Sequence, residues 1–246
     1  MKKALVILTV MLCASPAMAL TFTEDFNSYP AGSTTWGGLW VSPTNNLKLD
    51  SYTLDGSLGP RTGHSSLRSA NALLTEVGMP AISFSASFHW RSELCKNDTF
   101  MIVMSDDPAT AALVPKDNSS LGSPINAIAW GHNNTGQINY SFFDGQSWTA
   151  IGLHNGQYAA KTGDIVSGTV DAAGNWSASS SGGGSAGSGS LAVSGFTFDT
   201  VSIISNGTSS QYSGIDDLNI SAVTFPEPMT VALLGVGALL VLRRRK

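Results

Sequence analysis

Between Ile82 and Trp90 apolar residues occupy every second position: Ile82, Phe84, Ala86, Phe88 and Trp90 alternate with Ser83, Ser85, Ser87 and His89. A period of two puts the first set on one face of an extended strand and the second on the other, whereas a helix would scatter both around its axis. The segment therefore predicts a sheet strand with one face on a core and the other toward solvent. Further strand patterns run over 100–104, 125–130, 137–143, 148–153, 165–170, 175–179, 191–198, 200–205 and 214–222. Turn pairs such as Asp144-Gly145 and Asn155-Gly156 separate several of them. Charged residues make up only 12% of the chain and there are 26 glycines, which suits short strands and tight turns better than amphipathic helices. The expected fold class is all-β, a two-sheet antiparallel sandwich.

Two stretches resist that pattern. The tract Ser177 to Ser190 is almost entirely Ser, Gly and Ala, carries no charge and offers little to a core, so it reads as a flexible loop joining two strands. Residues 106–124 carry Asp106-Asp107-Pro108 and Lys116-Asp117-Asn118 without the spacing of an EF-hand, and read as an ordinary loop.

The ends have their own chemistry. Lys2 and Lys3 precede an apolar run from Ala4 to Ala14, and Ala17-Met18-Ala19 supplies the small-x-small pattern of a signal peptidase site. The expected cut follows Ala19, so residues 1–19 form a signal peptide. Cys13 leaves with it, Cys95 stays as the sole cysteine of the mature chain, and no intrachain disulfide forms. At the other end Pro226-Glu227-Pro228 is followed by the apolar run Met229 to Leu242 and by Arg243, Arg244, Arg245 and Lys246. Fourteen helical residues span about 21 Å, a marginal transmembrane length. The basic tip should stay cytoplasmic, leaving the body on the far side of the inner membrane.

Residues 225–246 resemble the PEP-CTERM sorting signal, in which a Pro-Glu-Pro motif, a membrane stretch and an Arg-rich end follow in that order. The resemblance implies processing near Pro226, Glu227 and Pro228 by an exosortase-type membrane protease, in a Gram-negative bacterium that makes exopolysaccharide. The expected path is a transient inner-membrane anchor, then the cell surface or extracellular matrix. A GPI signal also ends in a hydrophobic tail but does not ordinarily finish in four basic residues.

Setting aside Lys2, Lys3 and the four terminal basic residues leaves 7 basic against 17 acidic side chains, so nucleic acid is not an expected partner. Two of the acids sit oddly. In Phe22-Thr-Glu24-Asp-Phe26 simple alternation places Glu24 with Phe22 and Phe26, and in Ile215-Asp216-Asp-Leu218-Asn-Ile220 it places Asp216 with Leu218 and Ile220. A carboxylate on a core face must be hydrogen-bonded, protonated or bound to a cation. The two segments resemble the opening and closing strands of concanavalin-like and carbohydrate-binding-module jelly rolls, where first and last strands often pair and several modules hold a structural Ca²⁺. The resemblance implies Glu24 and Asp216 as Ca²⁺ ligands, with Asp25 and Asp217 as secondary ones. The residues alone are equally satisfied by hydrogen bonds from backbone amides or hydroxyls.

Catalytic patterns are sparse. Glu24, Glu76 and Glu93 lack an acid two residues away, as a one-strand glycosidase pair would have, and His64, His89, His132 and His154 form no zinc motif. Flat aromatic rings stack on sugars, and Trp36, Trp40, Trp130, Trp148 and Tyr158, in or beside turns, are the candidates for a glycan contact. The expectation is a jelly-roll ectodomain over residues 20–222 with a structural or adhesive role at the surface and weak glycan binding. The alternative is a glycan-cleaving enzyme on the same scaffold.

Overall fold

The computed structural model describes residues 18–29, 40–41, 48–50, 59–61, 65–69, 80–90, 99–132, 139–153, 162–182, 186–206 and 213–224. The strand read most directly from the alternation, β6 (Ala81–Trp90), lies at the centre of one sheet. On one side it pairs with β11 (Thr162–Val170), which continues to β12 (Asn175–Ser180) and β13 (Gly187–Ser190). On the other side it pairs with β15 (Ser213–Thr224), whose far edge holds β4 (Gly59–Arg61), then β3 (Lys48–Asp50), and separately β1 (Met18–Glu24). The second sheet runs in the order β10 (Trp148–Leu153), β9 (Asn139–Phe143), β8 (Ala127–His132), β7 (Thr99–Ser105), β14 (Thr200–Asn206), β5 (Ser65–Ser69), β2 (Trp40–Val41). Every pairing is antiparallel.

The inward faces of the two sheets meet over one core. Ile82, Phe84, Ala86 and Phe88 of β6 are buried there with Trp130, Tyr140, Phe142, Trp176, Ile203 and Ile220. Phe84 lies 4.4 Å from Trp130 and Phe142 lies 4.4 Å from Trp176 between ring centroids, contacts worth about 0.5–1.5 kcal/mol each beyond area burial. A second, smaller cluster covers the outer face of the β7–β8 sheet: Met101, Val103, Ala127, Ala129, Phe143 and Ile204 pack under Ala111 and Val114. Burial on both faces explains why Phe100 to Met104 is continuously apolar rather than alternating.

Three local expectations need correction. The segment 106–124 is not featureless: Pro108–Ala112 forms α1, capped by Asp107, whose carboxylate accepts from the Thr110 amide at 2.8 Å. Residues 191–198 are not a strand. Gly195, at φ +71°, turns the chain there, and Phe196 and Phe198 drop fully buried into the core from a loop. The Ser/Gly tract, read as flexible, instead contributes to β12 and supplies all of β13, paired from Asn175↔Ser190 to Ala178↔Gly187. Its small residues suit the place. A Cβ on Gly189 would stand 3.1 Å from the Trp176 indole nitrogen, and one on Gly187 would stand 2.8 Å from the Ile151 side chain, so glycine lets this strand close over the core edge without displacing either neighbour.

Candidate functional site

The first and last strands do pair, Glu24 opposite Leu218 and Phe22 opposite Ile220, and residues directly opposite share a face. Glu24 is therefore core-facing, as alternation predicts, and 8% exposed. Its carboxylate accepts three hydrogen bonds: from the Phe26 amide at 2.7 Å, the Trp40 indole at 2.8 Å and the Tyr29 hydroxyl at 3.3 Å. These bonds fasten the turn after β1, in which Phe26 holds φ at 56°, and pin Trp40 against Phe22 and Phe26.

Asp216 does not share that face. A β-bulge between Asp216 and Asn219 inserts one extra residue opposite Ala86, and Asp217 takes φ 50° within it. The insertion reverses the alternation. Ile215 pairs with core-facing Phe88 and Ile220 with core-facing Phe84, while Asp216 pairs with Ser87 on the outer side. Asp216 is still buried, and its Oδ1 accepts from the Asp217 amide at 2.8 Å. Beside Glu24 a cavity of about 630 Å³ is lined instead by Asp25, Ser28, Tyr29, Asp217 and Asn219. Asp25 caps the Asn27 amide and Asp217 accepts from Ser87 at 3.3 Å. Among the described residues no three His, Cys, Asp or Glu side chains converge as a cation site requires. The pair Glu24 and Asp216 does not fit Ca²⁺, because the bulge separates them and Glu24 already serves three donors.

The aromatic candidates divide. Trp40 is 1% exposed and Trp130 is 0% exposed, so both are core rings with no face for a sugar, a correction to the stacking expectation. Trp148 is half-buried against Phe143 and donates its indole N–H to the Pro115 carbonyl at 3.1 Å. Trp36, Tyr158, Ala17, Pro226, Glu227, Pro228, Arg243, Arg244 and Arg245 lie outside the described residues, as do Cys95, His64 and His154. Ala19 is exposed within β1.

Two polar features were not singled out from the sequence. Tyr140 and Asp164, both buried, are hydrogen-bonded at 3.2 Å inside one end of the sandwich. Their separation by 24 positions leaves no local pattern to read. The other feature is a shallow groove of about 370 Å³ on the outer side of β6, β11 and β12, lined by the hydroxyls of Ser83, Ser167, Thr169, Ser177 and Ser179. Thr169 and Ser177 hydrogen-bond across it at 3.2 Å. Of the alternating segment Ile82 to Trp90 only Ser83 lends it a hydroxyl; the other four stand on β11 and β12, so no single stretch of sequence announces it.

No protein-family model matches the chain, and no curated protein does. Among solved structures the fold is similar to arcelin-5, a lectin-like defence protein from Phaseolus vulgaris, with a TM-score of 0.51 and 11% identity over 85% of this chain and 99% of that one. It is also similar to a lectin from Bauhinia forficata in complex with GalNAc, with a TM-score of 0.50 and 13% identity over 83% and 98% of the two chains. At such identities the likeness is one of fold: the chain is a lectin-like jelly-roll sandwich.

Proposed function

We propose that this chain is an exported surface or extracellular-matrix protein whose sandwich contacts neutral glycans weakly. The observation that carries the reading is the lectin-like sandwich with an outer groove whose described lining combines five hydroxyl-bearing side chains with Phe84, Gly168, Ala178 and Ala186 and holds no charged residue. Hydroxyls both donate and accept, so they match the hydroxyls of a neutral sugar. Without an exposed ring in the groove, binding rests on hydrogen bonds that replace those to water, each with a small net gain, and affinity is low. The export half of the proposal rests on the two ends. A signal peptidase removes residues 1–19, and an exosortase-type protease processes the tail at Pro226, Glu227 and Pro228 after Arg243 to Arg245 have held it at the inner membrane.

Two measurements test the two halves separately. A glycan array probed with the mature protein should show weak binding to neutral polysaccharide, reduced by Thr169→Val with Ser177→Ala; binding unchanged by that pair of substitutions removes the groove from the proposal. Release of reducing sugar from the producer's polysaccharide would instead favour a glycan-cleaving enzyme. Mass spectrometry of the protein from its native host should find Leu20 at the N-terminus and Lys246 absent. A mature chain that keeps both Met1 and Lys246 overturns the sorting route.

A further inference from the structure

An unpaired strand edge exposes N–H and C=O groups that template pairing with another strand, so proteins blunt their edges. Among the described residues, four of the five free edges carry such a device. β2 is only two residues long, β3 includes Lys48 and Asp50, β10 has a bulge between Ala150 and Gly152, and β1 carries the inward-pointing Glu24. β13, with the sequence Gly-Ser-Gly-Ser, has no charge, no proline and no bulge, and among the described residues nothing pairs with its outer side.

The direction of its backbone groups follows from the register. The Leu191 amide donates to the Gly174 carbonyl at 2.8 Å, which makes 191 and 174 a hydrogen-bonded pair. Such pairs recur every second residue, so Gly189 bonds Trp176, Gly187 bonds Ala178, and the N–H and C=O of Ser188 and Ser190 point away from the sheet. All three of Ser188, Gly189 and Ser190 are exposed.

We propose that β13 is a self-association edge, and that a second copy of this chain pairs with it antiparallel about a two-fold axis through Gly189. In that register Ser188 of each copy faces Ser190 of the other. Each of the two pairs exchanges both of its N–H···O bonds, about four hydrogen bonds in all, with no outward group left over. Gly189 meets Gly189 at the close, non-hydrogen-bonded position, where its missing side chain removes the steric conflict. The match of this edge to itself is what selects a second copy. So few bonds give a dissociation constant in the millimolar range, an association that operates where the protein is concentrated.

The test is sedimentation equilibrium of the mature protein, without the signal peptide and sorting tail, from roughly 10 µM to 1 mM, with amide exchange followed at Ser188 and Ser190. The expected result is a concentration-dependent dimer in which those two amides slow together. Ser188→Pro removes an outward N–H while sparing the bonds to β12, and Ser190→Lys adds an edge charge. Each variant should lose the dimer, and the lysine variant, which gives up only the exposed bond from the Ser190 hydroxyl to Asn175 Oδ1, should stay folded with a midpoint close to wild type; if the proline variant does not fold, the lysine variant decides. A wild-type chain that stays monomeric, a dimer whose Ser188 and Ser190 amides exchange at the monomer rate, or a folded lysine variant that still dimerises overturns the proposal.

Discussion

Glu24 offers a direct measure of what the corner between the first and last strands contributes. Replacing it by alanine leaves the buried Phe26 amide and the Trp40 indole N–H without their acceptor, along with the longer bond from Tyr29. A buried donor stripped of its partner costs about 1–3 kcal/mol, and bonds to a charged acceptor lie toward the upper end. With the 3.3 Å tyrosine bond counted as minor, the expected loss is about 3–5 kcal/mol. For a domain of this size that lowers the thermal midpoint by roughly 10 °C.

Glu24→Gln keeps the shape and one acceptor oxygen but turns an NH₂ toward a donor, so its loss should fall near half of that. Urea unfolding followed by tryptophan fluorescence reads both variants, and released Trp40 should shift emission to the red in Glu24→Ala. Because three protein donors already use this carboxylate, EDTA should leave the wild-type midpoint where it is. A loss below about 1 kcal/mol for Glu24→Ala, or a chelator that lowers the wild-type midpoint to that of the variant, would refute the assignment of Glu24 as a hydrogen-bond clamp.

Other positions give sharp outcomes. Gly131 sits in β8 at φ +140°, and a Cβ there would lie 2.5 Å from the Phe100 carbonyl oxygen and 2.9 Å from the Met101 Cα; Gly131→Ala should cost about 3–5 kcal/mol in urea unfolding, and a neutral effect would contradict the close approach. Tyr140→Phe removes the buried bond to Asp164 and should cost about 1–2 kcal/mol, read by the same unfolding curves, with no change as the contrary result. The carboxyl of Asp199 is raised above the ordinary 3.8, first by desolvation and then by the neighbouring charges of Asp106 and Asp107. Folding thus favours its protonated form, so the cost of ionising it is full above the raised folded pKa and gone below 3.8. Asp199→Asn should therefore stabilise the protein at pH 7 and lose that advantage as pH falls toward 3.8; an advantage that grows on acidification would reverse the assignment.

Where a side chain's environment depended on its own strand alone, the residues announced it. Ile82 to Phe88 alternates because one face of β6 meets the core and the other turns outward, where Ser83 lines the hydroxyl groove and Ser87 donates to Asp217, and Trp148 to Leu153 coincides with β10. Readings failed where a distant element decided the outcome. The Ser/Gly tract has no apolar face of its own, and its end, Gly187–Ser190, becomes a strand where Gly187 and Gly189 fit closely against Ile151 and Trp176. Leu191 and Val193, and again Phe196 and Phe198, stand two apart as in a strand, yet the turn at Gly195 makes 191–198 a loop that drops phenylalanines into the core.

Asp216 is the sharpest case, because the error came from a single inserted residue. Alternation carried back from Leu218 and Ile220 points Asp216 inward, and the resemblance to jelly-roll first and last strands then implied a cation shared with Glu24. Asp217 at φ 50° absorbs one extra position, after which every side chain toward residue 213 changes faces. Aspartate is among the few residues other than glycine that enter the left-handed region readily, so Asp216-Asp217 held a local hint of the bulge. The hint was weaker than the alternation around it, and only the partner strand settles it: Ser85 and Ser87 stand two apart on β6, but their partners Asn219 and Asp216 stand three apart on β15. The same bulge that removes Asp216 from the core brings Asp217 beside Ser87 and Asn219 beside Glu24's cavity, so the polar lining of this corner follows from a register change.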